Sequence, residues 1–415
     1  MTVRLINLFM PSSKDMPSRR LDLDWLRVLA FGLLIFYHTG MLYVADWDFH
    51  VKSQYLSQNL QSVMLLVNPW RMAILWMISG IAIRFILAKV SLKHFLVTRS
   101  YRLLLPLLFA ILVIIPPQLY YEMTQNGDLN LSYWEFYKQF FNLENLIFEK
   151  YSAGIWHHID VNHLWYLREL WRFSLYLVIL LPLFNSRVFK GVLDWFSGLN
   201  GYLSALIIAV PIFLIELLIE DTKEPLGFLF LIYGYLLGWN TVLWQKLKEN
   251  AFLLLALSLI LYVAIIIFYQ MVWLTMSEQT DKNLLLIGTL VYSLDRLVWV
   301  LAILAIGFRF LNNNSSKLQY LSEAVYPFYI LHQTIIIVIG FEIAQYHLGG
   351  IYEVCVILFF TSLFCFIGFE IIHRIDWIRP LFGLKMIKAY PPFVTTIMKS
   401  LSTILIVGLG LEILI

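Results

Sequence analysis

LDLDWLRVLAFGLLIFYHTG, residues 21–40, joins an apolar run long enough to cross a bilayer to polar groups that a bilayer resists. At about 1.5 Å per residue such a helix reaches about 30 Å, the thickness of a hydrocarbon core. Arg27 and His38 stand eleven residues apart. At about 100° per residue they share a helix face, roughly 16 Å apart along the axis. The stretch therefore predicts a membrane helix with an arginine at one edge and a histidine well inside.

Outward from it, comparable runs lie at roughly 24–45, 61–88, 103–123, 164–184, 201–219, 226–244, 250–274, 284–309, 321–344 and 351–373, with an eleventh alternative at 394–415. The whole chain is 60% hydrophobic and only 14% charged over 415 residues, with a mean hydropathy of +0.76, against about 45–50% apolar usage in soluble domains. The expected fold is an all-α polytopic membrane protein of about ten transmembrane helices. Residues 1–23 read as a cytoplasmic N-terminal segment, 24–374 as one transmembrane domain and 375–415 as a C-terminal segment. The opening residues lack the signal-peptide pattern, so the first span is expected to be its own insertion signal.

Basic side chains resist translocation, which makes alternate connections a test of orientation. The set 1–23, 89–102, 185–200, 245–250, 309–320 and 374–393 carries eighteen Lys and Arg, whereas 46–60, 124–163, 220–225, 275–283 and 345–350 carry five. This places the N-terminus in the cytoplasm and the long 124–163 connection outside. A formal charge of +3, with the basic residues spread out, leaves no nucleic-acid footprint. Cys355 and Cys365 share one apolar segment at a spacing that fits no metal pattern, and they read as small packing residues. No internal repeat, Walker loop or dinucleotide fingerprint is evident.

Ionisable groups inside spans cost about 2.5–3.5 kcal/mol at a helix centre on insertion scales, so each invites a functional reading. Counted from the outer face, His38, Arg71 and Glu169 fall at a common depth of roughly 9–12 Å. His332, Asp295 and Arg296 lie nearer the midplane, and His163 stands at the outer edge. Arg172 reads as a partner of Glu169 on its own helix, and Asp295 and Arg296 as interhelical glue.

The stretch DWLRVLAFGLLIFYH resembles the opening of the acyltransferase-3 family, an Arg and a His separated by ten residues. NPWRMAILWMISG, RSYRLLLP, HLWYLREL and YPFYILHQT resemble further blocks of that family, in the same order. HVKSQYL followed by WRMAILWMISG looks like its glucan-succinylating branch. The resemblance implies a bacterial inner-membrane O-acyltransferase. Its donor would be a cytoplasmic acyl-CoA, acetyl- or succinyl-CoA, used as co-substrate with no tightly bound cofactor or metal. Its acceptor would be a hydroxyl of a periplasmic or cell-surface glycan, and membrane lipid its other partner.

O-acyl transfer needs a base for the hydroxyl and positive charge for the oxyanion. His38 is the expected base, and Glu169 the group that orients it or stabilises its imidazolium. Arg71 is expected to hold the oxyanion or an acidic acyl group. Arg27, Arg99 and Arg102 at the cytoplasmic edge would take the donor's phosphates, and Trp76 and Ser79 would line the passage to His38. His163, Trp165 and His332 are candidate substrate-binding residues. A transporter or flippase of glycans or organic acids is the rival from another class, against which the missing repeats count.

Overall fold

A computed structural model describes residues 10–152, 156–276, 281–388 and 390–414. The expectations for 1–23, 124–163, 275–283, 374–393 and 394–415 therefore fall partly outside the described residues. Among those described the chain is built of α- and 3₁₀-helices without strands. Six helices are long and apolar enough to cross a membrane: Leu92–Gln125, Gly201–Leu218, Ala251–Thr275, Lys282–Phe310, Ser316–Ala344 and Gly350–Arg374. Two bent pairs raise this to eight if each pair is one span.

The difference from ten expected runs has physical causes. Leu21–Met41 dilutes its apolar run with Asp22, Asp24, Arg27 and His38, and Arg71–Leu87 is only 17 residues long. The run at 226–244 is not one continuous helix. Lys223–Leu237 turns by 106° into Thr241–Glu249, and both sides of the turn are chemically closed. Arg84 Nη1 donates to the Tyr235 and Leu236 carbonyls at 2.9 and 2.8 Å, which the ending helix leaves unbonded. Asn240 caps the new helix by accepting from the Leu243 N–H at 3.0 Å. Trp165–Phe184 likewise turns by 91° into Arg187–Gly198. Ser186 caps this second helix through the Phe189 N–H at 3.2 Å.

The chain forms two compact units, each discontinuous in sequence. The first comprises the described part of Met1–Ala30 with Ser62–Leu92 and Phe173–Gln319. Its centre is the pair Arg71–Leu87 and Lys223–Leu237. A Cβ on Gly80 would collide with the Leu231 carbonyl, and one on Gly234 with the Met77 carbonyl, so the two backbones touch directly, as small residues permit between membrane helices. Arg296 finds the interhelical partner expected of it, Glu216, at 2.8 Å. Asp295 does not. It is fully buried, and neither its oxygens nor the nearby Trp299 indole N–H makes a hydrogen bond of normal geometry.

The second unit comprises Phe31–Gln61, Lys93–Arg172 and Tyr320–Ile415. One apolar cluster, Ile35, Leu42, Tyr43, Ile336 and Ile357, ties the C-terminal half of Leu21–Met41 to Ser316–Ala344 and Gly350–Arg374. Another, including Met123, Phe136, Phe140 and Phe148, gives the 124–163 connection a core of its own. Lys52 Nζ caps the end of Leu21–Met41 through the Met41 and Val44 carbonyls at 2.9 and 2.7 Å. Cys365 is buried, as a packing residue would be, while Cys355 is exposed.

Candidate active site

His38 stands one turn before the end of Leu21–Met41, where its Nδ1 meets His332 Nε2 at 2.8 Å. The two rings lie nearly parallel, 15° apart with centroids at 5.0 Å. Phe49, from the connection after the helix, stacks on His38 at 6.2 Å.

The protons of this pair follow from the far side of His332. Its Nδ1 contacts the Tyr329 carbonyl at 2.7 Å and the Phe328 carbonyl at 3.1 Å. A carbonyl only accepts, so Nδ1 carries the proton and, in the neutral ring, Nε2 carries the lone pair. His38 Nδ1 therefore donates to His332 Nε2, and the lone pair of His38 is at its own Nε2. His332 is 1% exposed, so its orientation is held by the helix that supplies both carbonyls.

His163, edge-on to His332 at 5.3 Å, differs in kind. Its Nε2 donates to the Ile330 carbonyl at 3.2 Å, and its Nδ1 accepts from Gln118 Nε2 at 3.3 Å. Tyr329 Oη donates to the His163 carbonyl. Both ring nitrogens are thus engaged by protein, and a net of uncharged groups fixes them. Gln118 Nε2 also donates to Thr334 Oγ1 at 2.7 Å, and Thr334 donates to the Ile114 carbonyl at 2.7 Å. Gln118 Oε1 accepts from Asn162 at 3.0 Å and from Gln333 at 3.3 Å.

Glu169 is fully buried, and its carboxylate is engaged by Arg168 Nε at 2.7 Å and Arg172 Nη1 at 2.8 Å. The pairing with Arg172 on the same helix is the one its spacing suggested. At His38 Nδ1 the hydrogen-bond partner is His332, at 2.8 Å. Arg102 donates through Nε and Nη2 to the Gly383 carbonyl at 3.3 and 3.0 Å, and its own carbonyl accepts from Tyr326 Oη at 3.1 Å. Arg99 lies one turn earlier on the same helix, and Trp165 opens the helix that carries Glu169.

The second unit therefore holds His38, His163, Trp165, Glu169, Arg99, Arg102 and His332, and the first holds Arg27, Arg71, Trp76 and Ser79. Arg27 is 3.6 Å from Asp24 on its own helix, and Arg71 donates to the Asn68 carbonyl at 3.0 Å and to its side chain. Trp76 is 1% exposed, its ring 5.0 Å from Phe173 and in contact with the Gly227 site. Gln118, Tyr329, Gln333 and Thr334 escape a sequence reading based on charge because they are uncharged. Only their place in apolar runs marks them.

A helical protein with several bilayer-length helices and a hydrogen-bonded histidine pair, one ring of it buried, defines a class of multi-pass membrane proteins. Residues 20–370 match the acyltransferase domain of the acyltransferase-3 family, and the chain belongs to that family. No curated protein and no solved structure matches it. The protein is thus a membrane acyltransferase.

Proposed function

We propose that the protein moves an acyl group from a cytoplasmic acyl-CoA to a hydroxyl of an extracytoplasmic glycan, with His38 Nε2 as the base. The observation that carries this reading is the bond from His38 Nδ1 to His332 Nε2 at 2.8 Å, which directs the lone pair of His38 away from its partner.

In the proposed reaction His38 Nε2 takes the acceptor's hydroxyl proton while the oxygen attacks the thioester carbonyl. The C–S bond then breaks, and the imidazolium returns its proton to the departing thiolate. His332 accepts the Nδ1–H of His38 throughout. In a Ser-His-Asp triad a carboxylate does this for the imidazole, and here a neutral imidazole, itself anchored on a carbonyl, takes that place. Such a partner orients without adding a full negative charge to an apolar setting.

The remaining roles rest on the sequence. Arg71 is assigned to the oxyanion or to an acidic acyl group such as succinyl, and Arg27, Arg99 and Arg102 to the donor's phosphates. A bacterial inner membrane with the N-terminus in the cytoplasm and about ten spans completes the proposal, supported by the distribution of basic residues.

His38→Ala tests it. Purified protein given radiolabelled acyl-CoA and a glycan acceptor should release CoA, and the variant should release none above the uncatalysed rate while eluting as the wild type does. Retained turnover in the variant removes His38 from the chemistry.

A further inference from the structure

The first unit contains a recess of about 560 Å³ that no step above uses. Its size is that of small-molecule sites, about 300–1,000 Å³. Thr289, Tyr292 and Arg296 line it from one helix at intervals of three and four residues, which places them on one face. Glu216 lines it from the end of Gly201–Leu218, Glu220 from the connection that follows, and Trp273 from the short turn after Ala251–Met271.

Arg296 Nε donates to Glu216 Oε1 at 2.8 Å, with side chains only 13% and 6% exposed. Ser293 Oγ donates to the same carboxylate, and Arg296 Nη1 to the Pro69 carbonyl at 2.6 Å. The pair is therefore held in place before any ligand arrives, and its charges cancel. Among the described lining residues the one further acidic or basic side chain is the exposed Glu220. The described lining residues leave no cation over for a phosphate or carboxylate, which favours an uncharged occupant over CoA or an anionic headgroup.

A compensated guanidinium–carboxylate pair instead offers adjacent donors and acceptors, the pattern that matches neighbouring hydroxyls. Beside it, Trp273 and Tyr292 meet edge to face at 5.8 Å and supply flat apolar surface for the C–H face of a sugar ring. The recess lies where the chain passes through 216–222 and 273, next to the connections 220–225 and 275–283. The distribution of Lys and Arg assigns both to the outer side.

We propose that this recess is a carbohydrate-binding subsite that takes a neutral sugar ring of the glycan. It deepens the proposed function and rests on that reading for the ligand's being the acceptor. Thr289→Trp would fill the recess without touching the ion pair, and Trp273→Ala would remove the platform.

Binding of a radiolabelled neutral glucose oligosaccharide to the full-length protein in detergent, measured by equilibrium dialysis without any acyl donor, tests the subsite. Both variants should bind at least about tenfold more weakly, while Trp273→Phe, which keeps an aromatic face, should stay near wild type. The second variant decides the matter if the first fails to elute as a single species. Wild-type affinity in both variants, no saturable binding by the wild type, or equal competition from a choline-headed short-chain phospholipid would each overturn the subsite. Because no donor is present, failure of the acyltransferase reading would leave this binding intact. Turnover that depends on His38, with an unchanged acceptor KM in Thr289→Trp, would reject the subsite alone.

Discussion

His38, His163 and His332 are three histidines in one unit, and their bonds separate them. His163 spends both nitrogens on Ile330 and Gln118, whereas His332 spends one on a carbonyl and turns the other to His38. If His332 positions the base, His332→Ala should lower kcat by about 10²–10⁴ while the KM for donor and acceptor stays near wild type. Steady-state CoA release measures this, and an unchanged kcat would leave His332 a packing residue. His163→Ala should act elsewhere. It removes one of the two bonds of the Gln118 amide and the second donor to the Ile330 carbonyl, and leaves a gap in a buried net, at a cost of about 1–3 kcal/mol in stability. A lowered unfolding midpoint with nearly normal turnover per folded molecule is the expected signature. His38 and His332 are legible in the sequence, because a titratable group in an apolar run stands out. Their pairing is not. It depends on how two helices 294 positions apart are rotated toward each other, and periodicity within either helix carries no such information.

The helices were largely legible as apolar runs, and the sequence also held weaker marks where those runs break. Asn240, inside the expected run at 226–244, is the capping residue of the helix beyond the bend. Ser186 plays the same part before Arg187–Gly198. What no run reveals is the backbone contact of Gly80 and Gly234 with the facing helix. Gly80→Ala should force Arg71–Leu87 and Lys223–Leu237 apart at a cost of about 1–3 kcal/mol or more. A thermal shift in detergent checks it, and a wild-type midpoint would mean that the helices do not meet there. The helical lobe at 116–161 is held by other means. His158 donates to the Phe140 carbonyl at 2.6 Å and stacks on Phe148 at 3.7 Å, and burial lowers its pKa. Hydrogen bonds from Lys150 and Tyr151 hold the Asp128 carboxyl below its ordinary range. Burial outweighs the bond to Phe140, which by itself favours the protonated ring, so both His158 and Asp128 favour their proton-free forms in the folded lobe. The His158 contribution is therefore full above about pH 6.5 and is lost as pH falls below it, and that of Asp128 goes only below about pH 4. Amide hydrogen exchange in 133–148, corrected for intrinsic rate, should quicken between pH 7.5 and 5. Protection that rises on acidification would reverse the sign.

At the scale of the whole chain the family match spans 20–370 and leaves Pro392–Leu414 beyond it. The helices and their lengths do not state which side of a membrane each end faces, because a helix reads the same in either direction across a symmetric slab. Orientation is carried by charge, here by the eighteen Lys and Arg in one set of connections against five in the other. Two exposed apolar side chains make the inference testable without disturbing a core. Trp134, 71% exposed, lies in the connection assigned to the outside, and Val188, 80% exposed, begins the short helix after the bend assigned to the inside. With Cys355 and Cys365 replaced by Ala, Trp134→Cys should react with a membrane-impermeant maleimide in intact cells. Val188→Cys should react only after permeabilisation. The orientation bears directly on the chemistry, since the donor is proposed to arrive from the side of Arg27, Arg99 and Arg102 and the acceptor from the side of the 124–163 connection. Labelling of both positions from the same side would break the assignment of alternate connections. The reversed pattern would place those arginines outside, where no cytoplasmic acyl-CoA could reach them.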